Sequence, residues 1–355
     1  MPSAYEPRRV LITGVSNPLG AEVARRLATR VPWLFGCDLN DPVSALEEMD
    51  FVHADTRQSV IGKLVRQLRI DTVLHLAVAV DAARGERTTH ETNVIGTMNV
   101  LAACAGPSSP VSRLVVKSSQ AIYGARPEYP SVLAEDVAGT IPARTLVTRD
   151  LVELEQMAHD FAMRNPVCRV VRLRLGYRLS RTTSLGRYLS QPVIPSFFGF
   201  DPRLQLLDEE DAAEAVALAA LGEQEGVFNV AGDGVILLSQ AIAIMGAQAL
   251  PVMLPASQWI SRLAIRSATG VNLPGHLLDL LLHGSVMDCS RLKGEFGWTP
   301  ARSSREVMDG FARGHAEELV EAPSPPQEYE LQVYLQRRRR GERSGTAQRA
   351  LTAGR

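Results

Sequence analysis

The stretch Arg9–Leu27, RVLITGVSNPLGAEVARRL, decides how the rest of the chain is read. Val10–Thr13 is a short apolar run of the kind that forms a buried strand. Gly14 permits a tight turn after it, and Pro18 suits a helix first turn, where a missing N–H costs nothing. Gly20 lets that helix lie close to the strand, and the residues to Leu27 are good helix formers. Free N–H groups and the positive end of the helix dipole then point at the strand tip, which makes an anion site. The pyrophosphate of a dinucleotide fits it, with Gly14, Ser16, Asn17, Leu19 and Gly20 as its candidate contacts. Asn17 stands where a middle glycine would let the backbone approach the phosphates, so weakened binding is expected.

The next apolar run, Trp33–Cys37, ends in Asp38. An acid a little over twenty residues beyond the glycine turn is placed to hold a ribose hydroxyl pair. Its charge disfavours the extra phosphate of NADP. Without a ligand, Asp38 would merely cap a helix; glycine turn and acid together favour the nucleotide.

Strand signals recur at Phe51–Ala54, Thr72–Ala77, Arg113–Ser119 and Cys168–Leu175, with helices predicted over Val60–Leu68 and Thr92–Cys104. That alternation predicts an α/β fold with a parallel sheet covered on both faces. Asp55, followed by Thr56, either accepts from an adenine amino group or caps the helix Val60–Leu68. His75 reads as a packed strand residue. Ala77 and Val78 are small enough for backbone to lie beside a cofactor. Asn93 either ties neighbouring loops together or is an ordinary exposed residue. Ser118 and Ser119 fall at a strand's carboxyl end, where open α/β sheets bind ligands.

The chain has 355 residues and a formal net charge of −1, so as a whole it is no polyanion binder. Its four cysteines are scattered without metal-ligand spacing. Cys37, Cys104 and Cys168 fall in apolar runs and read as small core residues in a reducing compartment, and no metal is expected. The N-terminus has no apolar signal core, and no apolar run reaches membrane-spanning length. A cytoplasmic protein is expected.

Thr13-Gly14…Gly20, Asp38, Asp55, His75-Leu76-Ala77, Asn93…Gly96-Thr97, Ser118-Ser119…Ile122-Tyr123-Gly124 and Gly297-Trp298-Thr299-Pro300 occur in this order. Together they resemble the extended short-chain dehydrogenase/reductases, in the branch of NAD-dependent sugar-nucleotide epimerases and dehydratases typified by UDP-galactose 4-epimerase. The resemblance implies a Rossmann-type doubly wound domain over residues 1–180, returning at about 203–233, with NAD across its carboxyl edge. It implies a smaller C-terminal lobe, residues 181–202 and 234–320, closing over a nucleotide sugar, and a homodimer formed through two helices.

That family's chemistry uses a serine, a tyrosine and a lysine four residues after the tyrosine. Ser119 matches the serine. The pair belongs on the predicted helix within Thr145–Met157, where Val147 and Leu151 stand at the expected places. No Tyr or Lys occurs from Gly139 to Phe161. Thr148 has too high a pKa to replace a phenol, and Arg149 cannot deprotonate. Tyr123, Tyr177, Tyr188 and Lys117 are the remaining acid/base groups. Tyr123 is the foremost of them, while strand alternation would turn Lys117 away. The resemblance thus implies a dinucleotide-binding protein with impaired or altered catalysis. One alternative is an active enzyme with a displaced acid/base, using Ser119 and Tyr123. Another is a non-catalytic sensor or interaction protein.

In the second half, Arg181, Arg187 and Arg203 are candidates for a nucleotide diphosphate. Arg203–Leu207 reads as a strand and Asp208–Leu221 as a helix whose leading acids cap it rather than bind metal. Trp259–Ala268 and Leu277–His283 read as helices. From residue 321 to 355 a Pro-containing linker leads to a basic tail with Arg337–Arg340 consecutive. Disorder and weak attraction to anionic surfaces are expected there, without specific nucleic-acid reading.

Overall fold

The computed structural model describes residues 8–42, 47–81, 86–106, 108–253, 265–266 and 270–321. Residues 1–311 form one compact unit; of the second, 312–355, only the helical stretch to Glu321 is described. The basic tail and most of the predicted helix Trp259–Ala268 therefore lie outside the described residues.

The quoted stretch folds as strand β1 (Arg9–Thr13), a turn at Gly14 and helix α1 (Pro18–Ala28). Strands β2 (Trp33–Asp38), β3 (Met49–His53), β4 (Thr72–His75), β5 (Arg113–Ser119) and β6 (Arg169–Leu175) follow. After a helix α7 (Glu209–Leu221), strand β9 (Gly226–Val230) completes the sheet. Its order is β3-β2-β1-β4-β5-β6-β9, and every pairing is parallel. This is the doubly wound Rossmann arrangement, and the chain reverses direction across the sheet between β1 and β4.

Helices cover both faces. On one side, α1 packs on α7, whose buried Ala212, Ala213, Ala215, Ala217, Ala219 and Ala220 let the two approach closely. Arg26 on α1 and Arg30, just past its end, both pair with Glu214 on α7. On the other side lie α2 (Val60–Gln67), α3 (Glu86–His90), α4 (Gly96–Cys104) and α5 (Leu146–Arg164). A π-helical turn, Glu91–Ile95, joins α3 to α4, so the helix predicted from Thr92 begins earlier and is interrupted. All four cysteines are buried and free.

The remaining described segments build a lobe with its own apolar core, including Leu185, Tyr188, Phe197, Leu206, Leu277 and Met308. It contains α6 (Ser184–Leu189), β7 (Val193–Phe197), β8 (Arg203–Leu204), β10 (Ile236–Leu237), α8 (Leu238–Ile244) and β11 (Gln248–Val252). Helices α9 (Gly275–His283) and α11 (Ser304–Glu321) follow; between them α10 (Ser290–Phe296) returns to the main sheet, where Phe296 packs edge-on against Phe228 of β9. The strand predicted over Arg203–Leu207 is only two residues long and pairs with β10, outside the main sheet. Gln205 ends it: its buried side chain donates to Gly232 O and accepts from Met287 N at 2.7 Å. Of the acids at 208–211, Asp208 caps α7 as predicted by accepting from Glu210 N, whereas Asp211 accepts from the distant amides of Ala301 and Arg302.

Candidate active site

A cleft of about 370 Å³ opens at the carboxyl ends of β1, β2 and β4. Gly14, Ser16, Asn17, Asp38, Asp55, Thr56, Ala77 and Val78 line it. The turn into α1 is tight for a reason. Gly14 has φ +76°, and a Cβ there would lie 2.7 Å from Ala77 N. A Cβ on Gly20 would lie 2.2 Å from Gly14 O, so Gly20 serves packing beneath the cleft. Leu19's side chain is likewise in the core, which leaves only its backbone to face the helix entrance.

Asn17 folds back on its own turn. Its Oδ1 accepts from Gly20 N at 2.9 Å and its Nδ2 donates to Gly14 O. It thus acts as the α1 cap, and the cleft beside it stays open. Asp38 accepts from Ser16 N through Oδ2 and from Leu39 N through Oδ1, fixing a carboxylate at the tip of β2. Asp55 does not cap α2, which begins after Ser59. Its carboxylate takes the backbone amide and the guanidinium of Arg57 instead, and these bonds hold its pKa below the ordinary value.

Asn93 lies on the π-helical turn and is fully buried. It clamps the loop after β4, accepting from Ala79 N and donating to Ala79 O, both at 2.8 Å. Of its two sequence readings, the loop tie is the one seen. His75 is a packed residue between Thr13 Oγ1 and Thr97 Oγ1. Thr97 donates its proton to Asn93 O, so His75 Nε2–H donates to Thr97 and Nδ1 accepts from Thr13. Burial pushes the His75 pKa down to about 3, keeping it neutral.

On α5, Val147 and Leu151 are buried in the apolar core and line neither this cleft nor the chamber described below. Thr148 donates to Ala121 O at 2.9 Å. The helix carries a different polar group: Glu155 Oε1 accepts from Ser118 Oγ at 2.5 Å and pairs in two-pronged fashion with Arg174. Ser118's side chain is therefore committed behind the sheet. Burial opposes the Arg174 charge, but Glu155 outweighs it and raises the guanidinium pKa. Arg174 also donates to Tyr123 Oη, which donates to Asn229 Oδ1 at 2.7 Å. Burial pushes the Tyr123 pKa up to about 12. The structure gives Tyr123 to this network and not to the cleft, contrary to its expected place beside a substrate. Tyr188 is spent on Pro195 O.

Ser119 faces a smaller chamber of about 70 Å³ with Lys117, Tyr177 and His276. Strand alternation does put Lys117 and Ser118 on opposite faces, but Lys117 takes the cleft side, correcting the sequence expectation. Its Nζ donates to Val78 O at 2.7 Å. None of Arg181, Arg187 and Arg203 lines cleft or chamber; Arg178 lines both and pairs with Glu209 at 2.6 Å. Arg178 and His276 were missed in the sequence. Only the position of Arg178, just past the β6 tip, gave a signal.

The model of the NAD dependent epimerase/dehydratase family matches residues 10–231. The chain belongs to this family. An uncharacterised protein of Mycobacterium tuberculosis is 34% identical over 320 residues, covering 87% of this chain and 84% of that one. Solved members share the fold at low identity. The Thermus thermophilus UDP-glucose 4-epimerase in complex with NAD has a TM-score of 0.67 at 19% identity, covering 87% of this chain and 99% of that one. The dTDP-glucose 4,6-dehydratase of Bacillus anthracis, also in complex with NAD, gives 0.67 at 12%, covering 89% and 98%. Among the described residues, no helix is long and apolar enough to cross a membrane, and no cluster of three or more His, Cys, Asp or Glu side chains suits a metal.

Proposed function

We propose that this epimerase/dehydratase-family protein binds NAD in the 370 Å³ cleft and a nucleotide sugar beside it, with catalysis altered by the loss of the Tyr–Lys pair. The observation that carries this is the contrast between the cleft and α5. The cleft at β1, β2 and β4 keeps a dinucleotide's requirements: a glycine turn, an open helix start and a fixed carboxylate at Asp38. Helix α5 lines neither cavity, and at its relay positions Val147 and Leu151 are buried hydrocarbon.

Asp38 would hold the adenosine ribose diol and reject a 2′-phosphate by charge. Ala77 and Val78, held in place through Asn93, would lie along the cofactor. NAD would supply the hydride acceptor; the chain's own part is to orient both ligands and handle the proton. Support for the nucleotide sugar comes from fold neighbours, among them the Thermotoga maritima UDP-glucose 4-epimerase solved with UDP-glucose. A homodimer would use α4 and α5, where Met98 and Met163 are exposed.

Calorimetry with NAD, NADP and UDP-glucose tests the reading. NAD should bind, NADP should bind at least tenfold more weakly, and Asp38→Ala should erase that preference. Absence of NAD binding to the full chain would refute it.

A further inference from the structure

The geometry points to Lys117 as the proton acceptor at this site, standing at the junction of cofactor cleft and inner chamber in place of the missing tyrosine. This deepens the proposed function and rests on it. Four observations carry the assignment.

First, position. Lys117, Asp81, Arg178 and Thr183 line both the cleft and the chamber, so the two cavities adjoin at these side chains. A substrate carbon that exchanges hydride with a cofactor in the cleft would sit at that boundary. Second, elimination. The hydroxyls of Tyr123 and Tyr188 are committed elsewhere, and α5 contributes no titratable group to either cavity. Third, the chamber is incompletely satisfied. Among the described residues, Asp81 Oδ1 and His276 Nδ1 are buried without a hydrogen-bond partner, and His276 is 2% exposed. Unpaired buried polar atoms cost stability, so they fit a chamber completed by a hydroxylated ligand.

Fourth, residue type. The chain has only three lysines, Lys63, Lys117 and Lys293, against an abundance of arginine. A cation needed only for charge could be Arg; a buried amine can also give up its proton. Burial, joined by the Arg178 charge and opposed by Glu209 and Asp81, lowers the Lys117 pKa to about 7. His75 behind it is neutral. In the chamber, burial holds His276 neutral, with its pKa near 4, and raises that of Tyr177. Lys117 is the group there whose pKa matches neutral pH, as a general base requires.

The step balances simply. A secondary hydroxyl of the sugar gives its O–H proton to the lone pair of Lys117 Nζ. The C–H bond on the same carbon would break as the C=O bond forms, and bound NAD would supply the hydride acceptor. The ammonium returns the proton when the ketone is reduced.

Trace acetylation of the full chain with acetic anhydride, read peptide by peptide across pH 5–10, tests this without turnover. Lys117 should label with a midpoint near 7, and saturating NAD should cut its labelling at least tenfold while Lys63 is unaffected. An ordinary lysine side chain labels with a midpoint near about 10.4. A Lys117 midpoint at that ordinary value, or no protection by bound NAD, overturns the proposal. Calorimetry showing no NAD binding overturns the cofactor reading instead, and does so whatever Lys117's midpoint. With UDP-glucose, UDP-galactose and dTDP-glucose as probes, any turnover should rise with pH through about 7. Lys117→Met should lower that kcat about 10²–10⁴-fold, and Lys117→Arg should not restore it. A folded Lys117→Met variant with wild-type kcat overturns the assignment.

Discussion

Glu155→Gln is the sharpest test of the polar network behind β5. The side chains of Glu155 and Arg174 are 5% and 6% exposed, and their closest N–O distance is 2.8 Å. Removing one partner of a buried pair leaves the other charge desolvated, at a cost of about 3–5 kcal/mol. Glutamine keeps one acceptor oxygen for Ser118 and Arg174, which places this variant toward the lower end. At about 2 °C per kcal/mol for a unit of this size, the melting temperature should fall by roughly 6 °C. Urea unfolding followed by circular dichroism should show a lower midpoint at unchanged slope. Glu153→Gln, exposed on the same helix, is the control and should stay within about 0.5 kcal/mol of wild type. The double variant Glu155→Met/Arg174→Met should recover most of the loss, because it removes both charges together. A Glu155→Gln protein as stable as the control would refute the claim that this pair matters because it is buried.

Further predictions follow from single contacts. Asn93→Ala strips both bonds from the Ala79 backbone and should cost about 1–3 kcal/mol, with weaker NAD binding by calorimetry. Tyr123→Phe should lower stability through the lost Asn229 and Arg174 bonds yet leave any turnover unchanged; abolished turnover in a folded variant would return Tyr123 to the site. His75 is neutral when folded and protonates at about 6.5 when unfolded, so its contribution is present above pH 6.5. It should be lost as pH falls toward 3, by about 1.4 kcal/mol per pH unit, in urea melts at pH 6, 5 and 4. His90 has the opposite sign. Asp150 raises its pKa, so its smaller, solvent-screened contribution is present below about pH 6.5 and fades as pH rises through the raised value. His90→Gln should flatten that slope.

Local chemistry made much of this molecule legible in its residues alone. Gly14 and Gly20 announce their roles because no other residue fits those backbones, and Asp38 because strand length sets how far it lies from the turn. The absence of Tyr and Lys between Gly139 and Phe161 needs no coordinates. Side-chain direction and partner choice are another matter, because they depend on what distant segments bring. Whether Asn17 obstructs the cleft was decided by its bonds to Gly14 and Gly20. Tyr123 is drawn away by Asn229, more than a hundred residues on. Lys117 meets His276 in one chamber only because β5 and α9 converge there. Composition and periodicity set the sheet, since burial repeats along a strand or helix; the lobe's core and the lining of the chamber arose from long-range packing, which leaves no period in the chain.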